Sequence, residues 1–381
     1  MSTIGTAAAG TTYEFEPYAS LDDAQLAPRI AQVKREMGPR LLTLGHHYQR
    51  DEVIALSDLR GDSYKLASLA ASDERCEEIV FCGVHFMAET ADIVANRPER
   101  LAARAGRRVP VVLPDLEAGC SLADMANIDQ VEDCWEQLGE VLDTADLLPI
   151  TYVNSAAALK AFCGRHGGIV CTSSNARAAI EWAFARRSRV LFFPDQHLAR
   201  NTARAMGIGL EQMPLWDPHR EPLGGNTADA LRQSRVILWS GHCSVHQVFQ
   251  PEHVERFRKR CPEGRVIVHP ECMMEVVDRA DLSGSTAAII QAVEQAPPGT
   301  RWAIGTELNL VNRLKHEHPE QHIEFLADVA CLCTTMYRID LPHLCWAVEN
   351  LAAGTPVNVI EVEPETARWA LAALQRMLEV R

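Results

Sequence analysis

The sequence has 381 residues, a formal net charge of −14 and a pI of about 5.5. This acidic balance argues against nucleic acid or an anionic membrane as a partner. No apolar run is long enough to span a membrane, and the N-terminal segment lacks the basic and apolar regions of a secretory signal. We therefore expect a cytoplasmic protein of two or three domains.

The first predicted element is an extension, residues 1–22, which is small and polar and is expected to be disordered. From residue 23 onward, unbroken β-branched runs bounded by Gly, Pro or Asp alternate with helical patterns. Such runs predict strands buried on both faces, and the alternation predicts parallel βαβ units. In chain order the predicted strands are RLLTLGHHY, EEIVFCGV, RVPVVLPD, LLPITYVN, GGIVCTSS, RVLFFPD, RVILWSG, RVIVHPE and RWAIGTE.

The order of these elements recurs three times, and each cycle closes on a cysteine. We predict three α/β repeats at residues 23–120, 121–243 (with an insert at 217–229) and 244–333, with residues 334–381 packing back on the first. Chance alternation is the alternative, but the recurring cysteine favours a true repeat. The predicted fold is α/β, with three pseudo-symmetric three-layer αβα domains whose short parallel sheets surround a central cavity.

The chain has twelve cysteines, which in a reducing cytoplasm are not expected to form a disulfide framework. Most lie in or beside apolar runs and are expected to be buried as small hydrophobic residues. A few are expected to bind metal.

The cysteines that close the cycles are Cys120, Cys243 and the pair Cys331 and Cys333. Ligands of parallel α/β sheets lie beyond the carboxyl ends of the strands, so one thiol from each repeat is expected to enter the central cavity. Structural zinc usually takes four ligands at close spacing, whereas three separated thiolates suit an iron–sulfur cubane with one open iron. Zinc at GHCSVH, the segment around Cys243, is the alternative.

Polar side chains lie at the predicted helix starts and strand ends. The hydroxyls at helix starts are most often N-caps, but a helix N-terminus facing a cavity is also an anion site. The helix-start residues are Ser63, Ser173, Ser174, Ser285 and Thr286. The strand-end residues, which are acid–base candidates, are His46, Tyr48, Tyr152, Asn154, His269 and Glu271.

Eleven segments together resemble one known family. They are GHHYQRDEV, GDSYKLA, FMAETADI, EAGCSLAD, TYVNSAAALKA, CTSSNA, FPDQHLARN, LWSGHCSVH, VHPEC, GSTAAII and CTTM. In combination and order they resemble the quinolinate synthases, over about Leu41–Leu351.

The resemblance implies three similar α/β domains around a central [4Fe–4S] cluster held by three cysteines. It implies an enzyme of the transferase class that condenses iminoaspartate, made by aspartate oxidase, with dihydroxyacetone phosphate. The products would be quinolinate, phosphate and water, on the de novo route to NAD. The implied partners are therefore small molecules, with functional coupling to aspartate oxidase.

The family's cluster ligands fall on Cys120, Cys243 and Cys333, the last preferred over Cys331 because x-x-Met follows it. The sequence departs from the family in its N-terminal extension, in the insert at 217–229, and in having C-x-C-x-x-M where some members have C-x-x-C-x-x-C.

The resemblance also assigns substrate-binding and catalytic positions. Glu271 is expected to carry out proton transfer with His269, and His46 and Tyr48 are expected to contact the sugar-derived substrate. The full set of implied substrate-binding residues is His46, Tyr48, Ser63, Tyr152, Asn154, Ser173, His269, Glu271, Ser285 and Thr286.

Two alternatives from other classes remain at this point. An aconitase-like hydro-lyase would use the same three-thiolate cluster. A non-enzymatic iron–sulfur or redox-sensing protein would also explain the many thiols, although the predicted anion sites count against it.

Overall fold

The computed structural model describes residues 12–63, 65–66, 69, 75–329 and 332–380. The chain divides into two compact units, the first made of Met1–Cys120 and Cys333–Val362 and the second of Ser121–Leu332 and Glu363–Arg381. Among the described residues, no helix combines the length and the apolar character needed to cross a membrane.

The strands and helices follow one another in alternation. The described strands are β1 (Leu41–His46), β2 (Leu59–Gly61), β3 (Glu78–Cys82), β4 (Val111–Val112), β5 (Leu147–Tyr152), β6 (Ile169–Cys171), β7 (Arg189–Phe193), β8 (Leu215–Trp216), β9 (Val236–Trp239), β10 (Arg265–Val268), β11 (Leu282–Ser283), β12 (Arg301–Gly305), β13 (His322–Phe325) and β14 (Val359–Ile360). The α-helices with described bounds are α1 (Glu16–Ala19), α2 (Asp23–Met37), α3 (Asp51–Ile54), α4 (His85–Ala95), α5 (Pro98–Ala103), α6 (Ile128–Val141), α7 (Ala157–Arg165), α8 (Ala176–Phe184), α9 (Gln196–Ala205), α10 (Ala228–Gln233), α11 (Pro251–Arg260), α12 (Met274–Val277), α13 (Thr286–Glu294), α14 (Leu308–Glu317), α15 (Leu341–Ala352) and α16 (Pro364–Glu379).

Three sheets share one strand order. The first unit holds the sheet β14-β4-β3-β1-β2, and the second unit holds β6-β5-β7-β9-β8 and β11-β10-β12-β13. In each sheet the second strand lies at one side of the first, and two later strands follow on the other side, namely β3 and β4, β7 and β9, and β12 and β13. Strands β14 and β8 extend the first two sheets at that edge. All pairings are parallel except that of β14 with β4. The predicted α/β class with three short parallel sheets is confirmed.

The central strands are buried along their whole length and mostly apolar because helices cover both faces of a parallel sheet. Every residue of β1 and of β5 is buried. Their carboxyl ends therefore carry the first polar side chains of each unit, and these ends are where parallel sheets bind ligands.

The N-terminal extension is partly ordered, which differs from the expectation of disorder through residue 22. Its described part forms α1, where Tyr18 is fully buried and donates its hydroxyl to Glu349 Oε2 at 2.6 Å. Phe15 stacks on His343 with ring centroids 4.3 Å apart. Aromatic side chains in an otherwise polar segment anchor it to α15. Residues 1–11 lie outside the described part.

The C-terminal tail is divided between the two units, so the expectation that residues 334–381 pack together on the first repeat does not hold for its last part. Helix α15 and strand β14 belong to the first unit, but α16 packs on α7 in the second. A Cβ at Gly164 of α7 would lie 1.9 Å from the carbonyl oxygen of Trp369. Only glycine permits this close approach of the two helices.

Candidate active site and metal centre

Three segments, one after each of β4, β9 and β13, have the same local structure. We call them the closing segments, Cys120–Asn127, Cys243–Gln250 and Cys333–Asp340. In each, a 3₁₀ helix starts three residues after the cysteine, at Ala123, His246 and Met336. In each, the seventh residue after the cysteine is the N-cap of the next α-helix, namely α6, α11 or α15.

This common spacing identifies Cys333 as the counterpart of Cys120 and Cys243. A cysteine at position 331 would precede the N-cap Asp340 by two residues more than the other two cysteines precede theirs. Cys331 itself lies outside the described residues.

The closing cysteines also differ from the other thiols in burial. Of the described cysteines, Cys120, Cys243 and Cys333 are half-buried and all the others are buried. Burial raises the pKa of the Cys82 thiol to about 12, so such a thiol stays protonated and is a poor metal ligand. Only the three closing thiols of the described set are open to a metal.

Side chains connect the closing segments within each unit. In the first unit, the Arg338 guanidinium lies 2.7 Å from Asp115 Oδ2 and 2.7 Å from Glu117 Oε2, just upstream of Cys120. In the second unit, the hydroxyls of Ser121 and Ser244 lie 3.4 Å apart. These two serines directly follow closing cysteines in the sequence.

A buried carboxylate with two imidazoles lies at the strand ends of the second unit. Glu271 follows β10 and is 2% exposed. Its Oε2 lies 2.7 Å from His246 Nδ1 and 3.5 Å from His269 Nδ1. The two imidazoles stack with centroids 4.5 Å apart, and Tyr152, at the end of β5, hydrogen-bonds to the same carboxylate.

These contacts determine the protonation of the cluster. Burial acts to raise the pKa of Glu271, but the proximity of His269 and His246 and hydrogen bonds from His246 and Tyr152 outweigh it, so that the pKa falls below its ordinary value. Burial lowers the pKa of His269 to about 3. At neutral pH the site therefore holds an ionised carboxylate beside a neutral imidazole, a pair suited to moving a proton.

Cys243 lies next to this carboxylate. Ligand atoms of Cys243, His246 and Glu271 all lie within 4.8 Å of one another. The zinc site considered from the sequence has His242, Cys243 and His246 as ligands. In the structure Glu271, and not His242, lies with Cys243 and His246. Three donors are one short of a structural zinc site, and His246 and Glu271 already pair with each other.

The strand end of the first unit brings His46 and Tyr48 together. His46 is buried at the end of β1, and its Nδ1 accepts the backbone N–H of Tyr48 at 3.2 Å. An imidazole that accepts a hydrogen bond at Nδ1 carries its proton on Nε2. The rings meet edge to face, 4.8 Å between centroids.

The predicted helix-start hydroxyls differ in role. Ser285 is the N-cap of α13 and accepts from Ala288 N at 3.3 Å, with Thr286 next to it and also buried. After β2 the capping acceptor is Asp62, whose Oδ1 accepts a hydrogen bond from Lys65 N. Ser63 directly follows Asp62 and is not the capping acceptor.

Of the remaining predicted residues of the second sheet, Ser173 and Asn154 are half-buried and Ser174 is exposed. Asn175 occupies the N-cap position of α8, and Ser173 and Ser174 lie in the turn before it. Asn154 lies in the bend after β5, two residues beyond Tyr152.

Known proteins are similar to this chain over nearly its whole length. A family model described as "Quinolinate synthetase A protein" matches residues 28–379. The chain belongs to the quinolinate synthase family. It is 62% identical over 379 residues to a quinolinate synthase of Rhodopirellula baltica, covering 100% of this chain and 97% of that protein. Quinolinate synthases of Acidobacterium capsulatum and Corynebacterium glutamicum are 55% and 53% identical, over 96% of this chain and 95% and 90% of their own lengths.

The donor set fits the [4Fe–4S] cluster implied by the quinolinate synthase resemblance. Such a cluster takes thiolate ligands, and the described chain offers three half-buried thiols in equivalent closing segments. The other described cysteines are buried, which removes competing ligands.

Two residues of this quinolinate synthase site were not assigned from the sequence. His246 lies in GHCSVH, where it was considered only for zinc. Asp195 lies in FPDQH; its Oδ1 accepts from Leu198 N at 2.6 Å as the N-cap of α9. Burial and the charge of Glu271 raise the pKa of Asp195 well above its ordinary value. In the sequence, the signal for Asp195 is its position directly before a predicted helix.

Proposed function

We propose that this chain is a quinolinate synthase that condenses iminoaspartate with dihydroxyacetone phosphate in de novo NAD biosynthesis. The reaction forms one carbon–carbon bond and one carbon–nitrogen bond and releases phosphate and two waters, without net oxidation or reduction. The family membership and near-complete coverage by relatives support this activity. The observation that carries it is the set of three half-buried thiols in equivalent closing segments.

Cys120, Cys243 and Cys333 would hold the [4Fe–4S] cluster of this enzyme. With three protein ligands, the bound cluster would supply one open iron as a Lewis acid for a substrate oxygen or nitrogen. The contacts of Arg338 in the first unit and of Ser121 with Ser244 in the second support convergence of the three segments.

Glu271 is the proposed proton acceptor. Its Oε2 would take a proton from the substrate and return it to a departing hydroxyl, which leaves as water. A carboxylate with a lowered pKa is a weak base, so His246 at 2.7 Å is positioned to share the proton. His269 is neutral and buried, and it would orient Glu271 by its stacking on His246.

The hydroxyls at helix starts would bind the anionic groups of the substrates. Helix N-termini favour carboxylate and phosphate because their N–H groups lack partners within the helix. The proposed anion-binding residues are Ser63, Ser173, Ser285 and Thr286, with Tyr152 and Asn154 beside them. His46 and Tyr48 would contact the sugar-derived substrate.

The three sheets would represent three repeats, at residues 23–120, 121–243 and 244–333, around a shared cavity. The common strand order and the common closing segment support this division.

A coupled assay tests the activity. Anaerobically purified protein would be supplied with aspartate, aspartate oxidase, fumarate as the electron acceptor for the oxidase, and dihydroxyacetone phosphate, and quinolinate would be measured by chromatography. We expect quinolinate and phosphate in equal amounts, and none when dihydroxyacetone phosphate is omitted. Iron-loaded protein that forms no quinolinate under these conditions would refute the proposal.

A further inference from the structure

Two arginines of the first unit tie the closing segment of Cys333 to neighbouring loops: Arg338, which lies within the segment, and Arg50, which lies outside it. This segment starts from Cys333, whose carbonyl accepts the backbone N–H of Tyr337 at 2.9 Å, and Arg338 follows directly. The position of Tyr337 and Arg338 is therefore linked through one backbone hydrogen bond to the position of the thiol.

Arg338 bridges this segment to the turn that leads into Cys120. Its Nε donates to Asp115 Oδ2 at 2.7 Å, and its Nη2 lies 2.7 Å from Glu117 Oε2. The other oxygen of Asp115 accepts from Glu117 N at 2.9 Å, and Gly119 N donates to the Glu117 carbonyl at 2.8 Å. The guanidinium thus completes a turn that ends one residue before Cys120.

Arg50, at the carboxyl end of β1, also contacts the closing segment of Cys333. Its Nη2 donates to the Tyr337 carbonyl at 2.6 Å, and its guanidinium lies over the Tyr337 ring, 3.5 Å from the centroid. Arg50 follows Tyr48 by two residues in the loop after β1. Planar guanidinium groups are suited to such combined stacking and hydrogen bonding.

We propose that Arg338 and Arg50 form a clasp that positions Cys333 relative to Cys120 on one side and to the His46–Tyr48 loop on the other. The clasp rests on the proposed function, because it matters only if both cysteines hold one metal group. Both arginines are positioning residues, since they act through the backbone and the carboxylates of the closing segments. Loss of the clasp would loosen the thiols and let the cluster dissociate faster.

The test compares cluster retention among variants. Wild type, Arg338→Ala, Arg338→Lys and Arg50→Ala would be purified anaerobically, and iron release to a chelator would be followed by absorbance. Arg258→Ala is the matched control, because Arg258 is 40% exposed, Arg338 is 42% exposed, and Arg258 pairs with Asp281 in the second unit at 2.9 Å. A global unfolding curve for each variant separates local from general destabilisation.

We expect Arg338→Ala and Arg50→Ala to release iron up to about fivefold faster than wild type, the range that partly exposed ion pairs allow. The iron-release rate of Arg338→Lys should fall between those of wild type and Arg338→Ala. Lysine keeps the positive charge but cannot donate to two carboxylates through a planar guanidinium. Arg258→Ala should match wild type. Iron-loaded clasp variants that release iron at the control rate would overturn the clasp alone. Wild type that contains no iron would overturn the proposed function and the clasp with it.

Discussion

The closing segments of the three sheets are alike in structure, whereas the strand ends of the three sheets carry different side chains. Each closing segment keeps a half-buried cysteine, a 3₁₀ helix and an N-cap at fixed spacing. The first strands, in contrast, end in different chemistry, with His46 after β1, Tyr152 after β5 and His269 with Glu271 after β10. A shared metal group requires the same donor from every repeat, whereas an asymmetric substrate requires different groups around it.

The largest expected effect comes from the closing cysteines. Cys120→Ala, Cys243→Ala and Cys333→Ala should each abolish bound iron and the brown colour of anaerobic protein, because a cluster held by three thiolates would lose one of its only three protein ligands. Iron analysis and visible absorbance measure the result.

Two controls sharpen this prediction. Cys134→Ala, in the helix after Cys120, removes a buried thiol whose pKa is raised well above its ordinary value by burial, and it should retain iron. Cys331→Ala should retain iron as well. Loss of iron in Cys331→Ala but not in Cys333→Ala would show that the third ligand had been misassigned.

The second-largest effect is expected from the carboxylate of Glu271, which follows β10. Glu271→Gln should keep iron but slow quinolinate formation by about 10²–10⁴-fold, because the amide cannot accept the proton. Glu275→Gln, an exposed change four residues away, is the control and should be as active as wild type. Normal turnover in Glu271→Gln would remove this carboxylate from the chemistry.

A smaller effect concerns the histidines after the third strands. Burial lowers the pKa of His197 to about 4, so between this value and about 6.5 the unfolded chain binds more protons than the folded chain. The free energy of unfolding must then fall as the pH is lowered through this range. From pH 7 to 5, wild type should lose about 1–2 kcal/mol more than His197→Gln.

A substitution that changes no titratable group provides the control for this pH measurement. Thr202→Ser, in the same helix α9, should show the same pH dependence as wild type in denaturant unfolding. If His197→Gln also followed wild type, burial of His197 would not contribute to the pH dependence.

The smallest effect tests the equivalence of the closing segments directly. Asn127 accepts from Gln130 N at 2.9 Å, and Asp340 accepts from His343 N at 3.0 Å. Asn127→Ala and Asp340→Ala should each reduce the free energy of unfolding by about 1 kcal/mol. Asp133→Ala, an exposed change within α6, is the control. Unequal effects of the two cap substitutions would argue against a common structure.

The sequence predicted the parts of the fold that depend on local pattern. The apolar runs that became β1, β5, β7 and β10 are continuous, and buried parallel strands require such runs. The tail could not be divided correctly, because the close contact of Gly164 with Trp369 joins residues far apart in the chain. The aromatic anchors Phe15 and Tyr18 were overlooked within a polar segment.

The sequence motifs at strand ends supplied the candidate site residues, whose roles stay predictions. His269 and Glu271 lie 3.5 Å apart, and the structure adds His246 to them. His246 comes from a different sheet, so no spacing in the sequence reveals its contact with Glu271. The choice of Cys333 was available only by resemblance, whereas the N-cap spacing supplies an independent structural reason.

The most direct test of the central claim is the metal content of the wild-type protein. Iron and acid-labile sulfide would be measured on anaerobically purified protein together with an electron paramagnetic resonance spectrum after reduction. We expect about four iron and four sulfide per chain and the signal of a reduced [4Fe–4S] cluster. Zinc in place of iron, or a chain without metal that still forms quinolinate, would contradict the account.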